Sequence, residues 1–261
     1  MENNAEGIEN TVPELPNFIT FIARKNHGAG WAEFLHDWDS VIFSIIIGSL
    51  IALLFHFGTR YKSLIPSGLQ NFLELIADNL RNLVTSVLGP EGDKYLPLIG
   101  TLFVYILCMN LAGMVPFMKS PSSNINITAA LAICVFIYVQ YLNIRNMGIL
   151  GFCYHLAGSP KNTVEWLIAP LMFPIELLIQ ISRPFTLALR LFGNVLGEDI
   201  LIAAFALFGI GMVASYFPVG LPLQIPFMLL GMLTSVMQAL VFSLLTAVYI
   251  LLSMPHKEED H

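Results

Sequence analysis

Charge is what this sequence has least of. Lysine, arginine, aspartate and glutamate make up 11% of its 261 residues and hydrophobic residues 56%, whereas soluble domains carry about 25% charge. With a mean hydropathy of +0.73, there is too little charge to cover a water-facing surface, which excludes a soluble domain and points to an integral membrane protein. The net charge of -6 comes largely from acids near the two ends, in residues 2–14, 33–39 and 258–260. No basic stripe runs through the chain, so no nucleic-acid partner is expected. Cysteine is nearly as scarce: Cys108, Cys134 and Cys153 are odd in number and far apart. That pattern fits neither a disulfide framework nor a zinc site, and the three are expected to be small core residues. No metal and no cofactor is expected. The first forty residues lack the basic-then-apolar order of a secretory signal, so no cleaved leader is read there. No internal repeat or low-complexity tract is present.

What the chain has in abundance is long apolar runs, and these divide it. An acidic extramembrane tail (residues 1–40) precedes a single membrane domain (41–254) and a short cytoplasmic tail (255–261). Within the domain, 41–57, 95–115 and 125–142 each read as one membrane helix, the last carrying Asn126 in its first turn. Residues 66–87 alternate apolar and polar positions at helical spacing, with Gln70, Glu74, Asp78 and Arg81 on one side; this is an amphipathic surface helix. A Gly- and Pro-marked loop is expected over 148–162. The run 166–208 is far longer than one perpendicular crossing, despite Pro170, Pro174 and Pro184, so it bends or tilts; 224–253 is the last long helix. The fold expected is all-α and polytopic, with about five crossings and one surface helix, the last two crossings forming a long tilted hairpin. Arg60, Lys62, Arg81, Lys94, Arg145, Lys161 and Lys257 fall on one side if the crossings alternate, against Lys119, Arg24 and Lys25 on the other. The cationic side is the cytoplasmic one, so the N-terminus is expected outside and the C-terminus inside. Trp31, Trp38 and Trp166 read as interfacial anchors, and His56 and His155 as interfacial side chains.

Against this oily background Arg190 stands out, flanked by Leu189 and Leu191 with Glu198 and Asp199 two turns on. A guanidinium cannot shed its charge, and at a bilayer centre it costs roughly 2.5–3.5 kcal/mol, so such a residue faces protein or water and has a task. A structural ion pair with Glu198 or Asp199 is the alternative. At about 100° per residue, Glu176, Gln180, Arg183, Thr186, Arg190, Asn194, Gly197 and Glu198 line one polar stripe, while Asp199 falls on the far face. The two adjacent carboxylates should therefore not share an environment. Proton handling is expected of the pair, with a counter-ion role as the alternative. Arg183, beside Pro184, reads as structural or interfacial. The last helix has its own seam of Gln224, Gly231, Ser235, Gln238, Thr246, Tyr249 and Ser253, so a hairpin of the two could hold Gln238 near Arg190. Glu176 and Gln180 are read either as lining an exit path or as lying near the cytoplasmic interface.

Arg190-Leu-Phe-Gly-Asn194, preceded by Ser182-Arg-Pro and followed by an acidic pair, closely resembles subunit a of F-type ATP synthases. So do Phe103-Val-Tyr-Ile-Leu-Cys-Met-Asn110-Leu, Pro121-Ser-Ser-Asn-Ile-Asn126-Ile-Thr128 and Met237-Gln238-Ala-Leu-Val-Phe with the terminal Thr-Ala-Val-Tyr249, in that family's order. The resemblance implies a stator, in a bacterial inner membrane, against which a ring of c subunits turns. It also implies two offset half-channels, peripheral-stalk b subunits and the rest of the synthase as partners, and contact with lipid. It further implies that Arg190 is the essential charge, with Asn194 and Gln238 as polar neighbours, Asp199 at the family's acidic half-channel position and Glu198 a second acid. Relatives often carry a small residue in place of Glu198 and a histidine or acid in place of Gly231, as though acid and glycine had changed helices here. Gly113 and Asn124 stand where relatives often have aspartate, leaving Asn110, Asn124 and Asn126 as neutral water-binding candidates. Glu176, Gln180, Ser235 and Tyr249 complete the expected half-channel lining.

Overall fold

A computed structural model describes residues 38–60, 68–115, 117–156, 158, 163–215 and 222–254. The expectations for both tails, for Trp31, Lys62 and Lys161, and for the side chains of Trp166, Cys153 and His155 lie outside the described residues. The described chain forms six α-helices: α1 (Asp39–Thr59), α2 (Leu69–Leu88), α3 (Leu96–Ala112), α4 (Ile125–Leu156), α5 (Thr163–Ser215) and α6 (Ile225–Leu252), with 3-10 turns at Gly89–Lys94 and Pro121–Ser123. Four of the six contain segments long and apolar enough to cross a bilayer: Asp39–Thr59, Ile125–Ile149, Pro170–Gly209 and Ile225–Leu252. At 17 residues α3 is shorter, about 25 Å against a hydrocarbon core of about 30 Å.

Helix α2 buries Leu73, Leu80, Val84 and Leu88 while Asn71, Glu74, Asp78 and Arg81 face outward. Gly89, at φ 70°, ends it in a backbone conformation that a Cβ would strain. Arg81 then reaches across the turn to donate two hydrogen bonds to Asp93, at 2.8 and 2.6 Å. Those bonds hold the Asp93 carboxyl below the usual carboxylate range. A depressed carboxylate contributes to folding above its unfolded pKa and loses that contribution as pH falls through the folded value. Asp93→Asn is therefore expected to leave assembly at neutral pH intact and to abolish the acid-dependent loss of amide protection in residues 89–94 below about pH 4, read by hydrogen exchange.

Two helices are longer than the sequence expectation. Helix α4 does not stop at the basic cluster near Arg145; it turns at Gly148, φ 71°, and resumes to Leu156, so half of the expected 148–162 loop is helical. Helix α5 runs unbroken for 53 residues through Pro170, Pro174 and Pro184, about 80 Å. Within a membrane, neighbouring helices and polar side chains satisfy the backbone groups that a proline frees, so proline punctuates less than it does in water. Cys134 is another correction: it is exposed on α4, not a core residue, while Cys108 is half-buried.

In the packed bundle, α3 lies against α6, α4 against α5, and α5 against α6. Ile99, Ile106 and Met109 of α3 meet Ala239, Phe242 and Ile250 of α6 and Leu187, Leu191 and Val195 of α5 in one core. Lys119 pairs with Asp39 at 3.4 Å, putting the start of α1 and the end of α3 at one end of the bundle. At the other end Asn146 donates to the Ser253 carbonyl at 3.2 Å. Phe205 stacks on Phe227 at 3.9 Å, closing the α5–α6 hairpin near its connection.

Candidate functional site

The two polar seams meet as their periodicity requires. Asn194 on α5 donates its Nδ2 to Gln238 Oε1 on α6 at 2.9 Å. Gln238 is buried and Asn194 exposed, so the bond runs from the hairpin interior to an open face. Arg190, one turn before Asn194, is exposed on that face and makes no hydrogen bond or ion pair among the described residues. The structural ion pair with Glu198 or Asp199 is absent from this arrangement. Around Arg190 the surface is oily and low: Phe185, Leu189 and Leu201 are exposed, and Gly193 and Gly197 have open space where a Cβ would stand.

The adjacent acids part company. Glu198 turns toward α6, and its carboxyl fills the space that a Gly231 side chain would occupy; a Cβ there would overlap Glu198 Oε1 and Cδ and lie 2.9 Å from its Cγ. Asp199 turns toward α3: a Cβ on Gly113 would stand 3.0 Å from Asp199 Oδ1 and 2.9 Å from the Ser120 Cβ. Each acid thus occupies a glycine notch, one on α6 and one on α3. Both glycines are places where the backbone must be approached closely.

Toward the other end of α5, Glu176, Gln180 and Arg183 line a cavity of about 130 Å³ with Gln140 and Asn143 of α4 and Tyr249 and Ser253 of α6. Gln140 donates to Gln180 at 2.8 Å, and the Arg183 guanidinium lies over the Tyr249 ring, 5.3 Å from its centroid. That volume holds several waters, and the walls are polar enough to keep them. The sequence reading had Glu176, Gln180 and Tyr249 but missed Gln140 and Asn143; their i,i+3 spacing in an apolar helix was the available signal.

Asn110 of α3 is 2% exposed, and both its side-chain polar atoms lack a protein partner. The same holds for Ser235 Oγ, Ser243 Oγ and Gln238 Nε2 on α6 and Ser122 Oγ in the turn before α4. Buried orphan groups of this kind are where a protein interior accommodates water. Asn124 and Asn126 do something else. Asn124 Oδ1 accepts the Asn126 N–H at 3.0 Å, and the Asn124 carbonyl accepts from Ile127 and Thr128, so Asn124 caps α4.

Comparison with known proteins bears on what this architecture is. The sequence profile of the ATP synthase A chain family matches residues 41–251. The chain belongs to that family, as a subunit a of the F-type ATP synthases. The ATP synthase subunit a of Protochlamydia amoebophila (strain UWE25) is 61% identical over 261 residues, covering all of this chain and 96% of the relative. ATP synthase subunit a 3 of Pelobacter propionicus is 40% identical over 223 residues, 85% of this chain and 89% of the relative. ATP synthase subunit a of Citrifermentans bemidjiense is 36% identical over 239 residues, 92% and 96%. The family match begins in the first turn of α1 and ends in the last turn of α6, so it takes in every described helix of this subunit a. Its apolar helices make it a membrane subunit.

Proposed function

We propose that this subunit is the proton-translocating stator, with two half-channels that do not meet and Arg190 between them. The observation that carries the reading is the separation along α5. The cavity around Gln180 lies about 15 Å before Arg190 and the Glu198–Asp199 notches about 12 Å after it, at 1.5 Å per residue. Polar groups gather at both ends, and between them Arg190 stands exposed on the face lined by Gly193 and Gly197.

A rotor carboxylate can cross lipid only when neutral. Near Arg190 it favours the ionised form, so it releases its proton to one path and takes the next from the other. Asn194 and Gln238 hold the seam beside the arginine; Glu198 and Asp199, with Asn110 and Ser235, form the entry side; Glu176, Gln180 and Tyr249 line the exit side. Each charge crossing 100 mV supplies about 2.3 kcal/mol to rotation. The partners on this reading are a c-subunit ring against the Arg190 face, peripheral-stalk b subunits and lipid elsewhere. The subunit lies in a bacterial inner membrane with its N-terminus outside and its C-terminus cytoplasmic, the orientation that the lysine and arginine distribution favours.

The test is proton flux through reconstituted complexes. Glu198→Gln and Asp199→Asn are each expected to lower it about tenfold, and the double variant more, as removal of a proton-transfer group does. A double variant with unaltered flux would take both acids off the path.

A further inference from the structure

The middle of the short segment between α3 and α4 is buried, which is unusual for a connection. Ser120, Pro121 and Ser122 are almost fully enclosed, and the Pro121–Ser123 turn touches α1, α3, α4 and α5. Two contacts hold its start. Lys119 Nζ donates to Asp39 Oδ2 at 3.4 Å. Asp39, itself buried in the first turn of α1, also accepts from Ser40 Oγ through Oδ1 at 3.0 Å. Ser120 Oγ donates to the Met109 carbonyl of α3 at 3.0 Å. Just before them Phe117 sits at φ 67°, a left-handed conformation that a phenylalanine adopts only when its surroundings impose it. The residue after Lys119 is the wall of the Asp199 notch: Ser120 Cβ and Asp199 Oδ1 crowd the same empty Gly113 position.

We propose that the Asp39–Lys119 ion pair is a positioning element for Asp199. By anchoring the Lys119–Ser123 segment to α1, the pair sets the depth of the notch in which the Asp199 carboxyl sits. This rests on the reading of Asp199 as a proton-handling group. The pair joins residues 80 positions apart, so a loss at either end lets the segment follow its own strained backbone and shift the wall.

The whole ATP synthase complex, reconstituted in liposomes, supplies two readouts. The first is positional. With the three native cysteines replaced by serine and Asp199→Cys introduced, the rate of labelling by a small maleimide is expected to change about threefold on Lys119→Met. It should return to the parental rate when the charges are exchanged, Asp39→Lys with Lys119→Asp. The second is proton flux. Lys119→Met is expected to lower it about threefold in the parental chain and to have almost no further effect beside Asp199→Asn, because interactions acting through one group are not additive. A merely structural loosening would multiply the two losses, and that result, or an unchanged labelling rate, overturns the proposal. Altered labelling with wild-type flux in Asp199→Asn would instead sink the proton-handling role of Asp199 while leaving the positioning intact. Should Lys119→Met fail to assemble, the charge-exchanged chain decides: it keeps the pair, and a labelling rate unlike the parental one counts against the proposal.

Discussion

Complexes carrying Arg190→Ala are expected to lose proton-driven ATP synthesis by about a hundredfold or more, while passive proton leak through the subunit rises. The magnitude follows from the charge: a carboxylate ionised at a bilayer centre costs roughly 2.5–3.5 kcal/mol, which a fixed cation beside it offsets, and each 1.4 kcal/mol is a factor of ten. On the proposed mechanism, a rotor carboxylate that passes the Arg190 face has no reason to ionise there once the charge is gone. The leak follows from the same charge acting as a barrier between the two polar ends of α5. Arg190→Lys should not restore synthesis, because a compact, strongly hydrated ammonium lacks the planar donor fork. Synthesis rates measured against a fixed proton gradient, together with proton uptake in the absence of ATP, separate the two effects. Normal synthesis in Arg190→Ala would end the mechanism.

Gly231→Ala is the second large effect. Its Cβ would claim space held by the Glu198 carboxyl, and since that carboxyl is the far end of a flexible side chain, the complex should still assemble with the acid displaced. Overpacking costs about 1–3 kcal/mol, and a loss of proton flux of about tenfold is expected. Adding Glu198→Asp, which draws the carboxyl back by one methylene, should recover part of the flux. Gly113→Ala behaves differently. Its Cβ would meet the Ser120 Cβ at 2.9 Å, an atom that cannot swing away without moving a buried turn, so stability falls along with flux and shortening Asp199 does not cure it. Unchanged flux in Gly231→Ala, or no recovery with the shorter acid, would show that the Glu198 carboxyl does not need its notch.

Much of the α5–α6 seam is legible in the sequence because helical periodicity is a local property. Arg190, Asn194 and Glu198 recur on one stripe, Gly231, Ser235 and Gln238 on another, and the opposed directions of Glu198 and Asp199 need only the angle per residue. Contacts between distant segments are not local. Nothing in the run around Lys119 announces Asp39, and nothing around Gln140 announces Gln180, because the partners meet only once the bundle has packed. The length of α4 is hidden for another reason: the polar residues after 142 and Gly148 read as the end of a span and the start of a loop, a rule learned from helices in water, whereas α5 reads as one long run despite its prolines. Asn124 and Asn126 have the chemistry of channel residues, but Asn124 ends as a helix cap with the Asn126 N–H as its donor, a distinction set by backbone geometry that composition does not carry.

The two glycine notches have a mechanical consequence as well. On the proposed function helix α5 presents its Arg190 face to a rotating partner, and such a partner exerts a twisting load on a cylinder. Glu198 lies against the backbone of α6 and Asp199 against that of α3, on opposite sides of one turn. Rolling α5 one way drives the first carboxyl into Gly231; rolling it the other way drags the second across Ser120. The acidic dipeptide is thus a pair of keys in two slots, and it indexes the angle at which Arg190 is held.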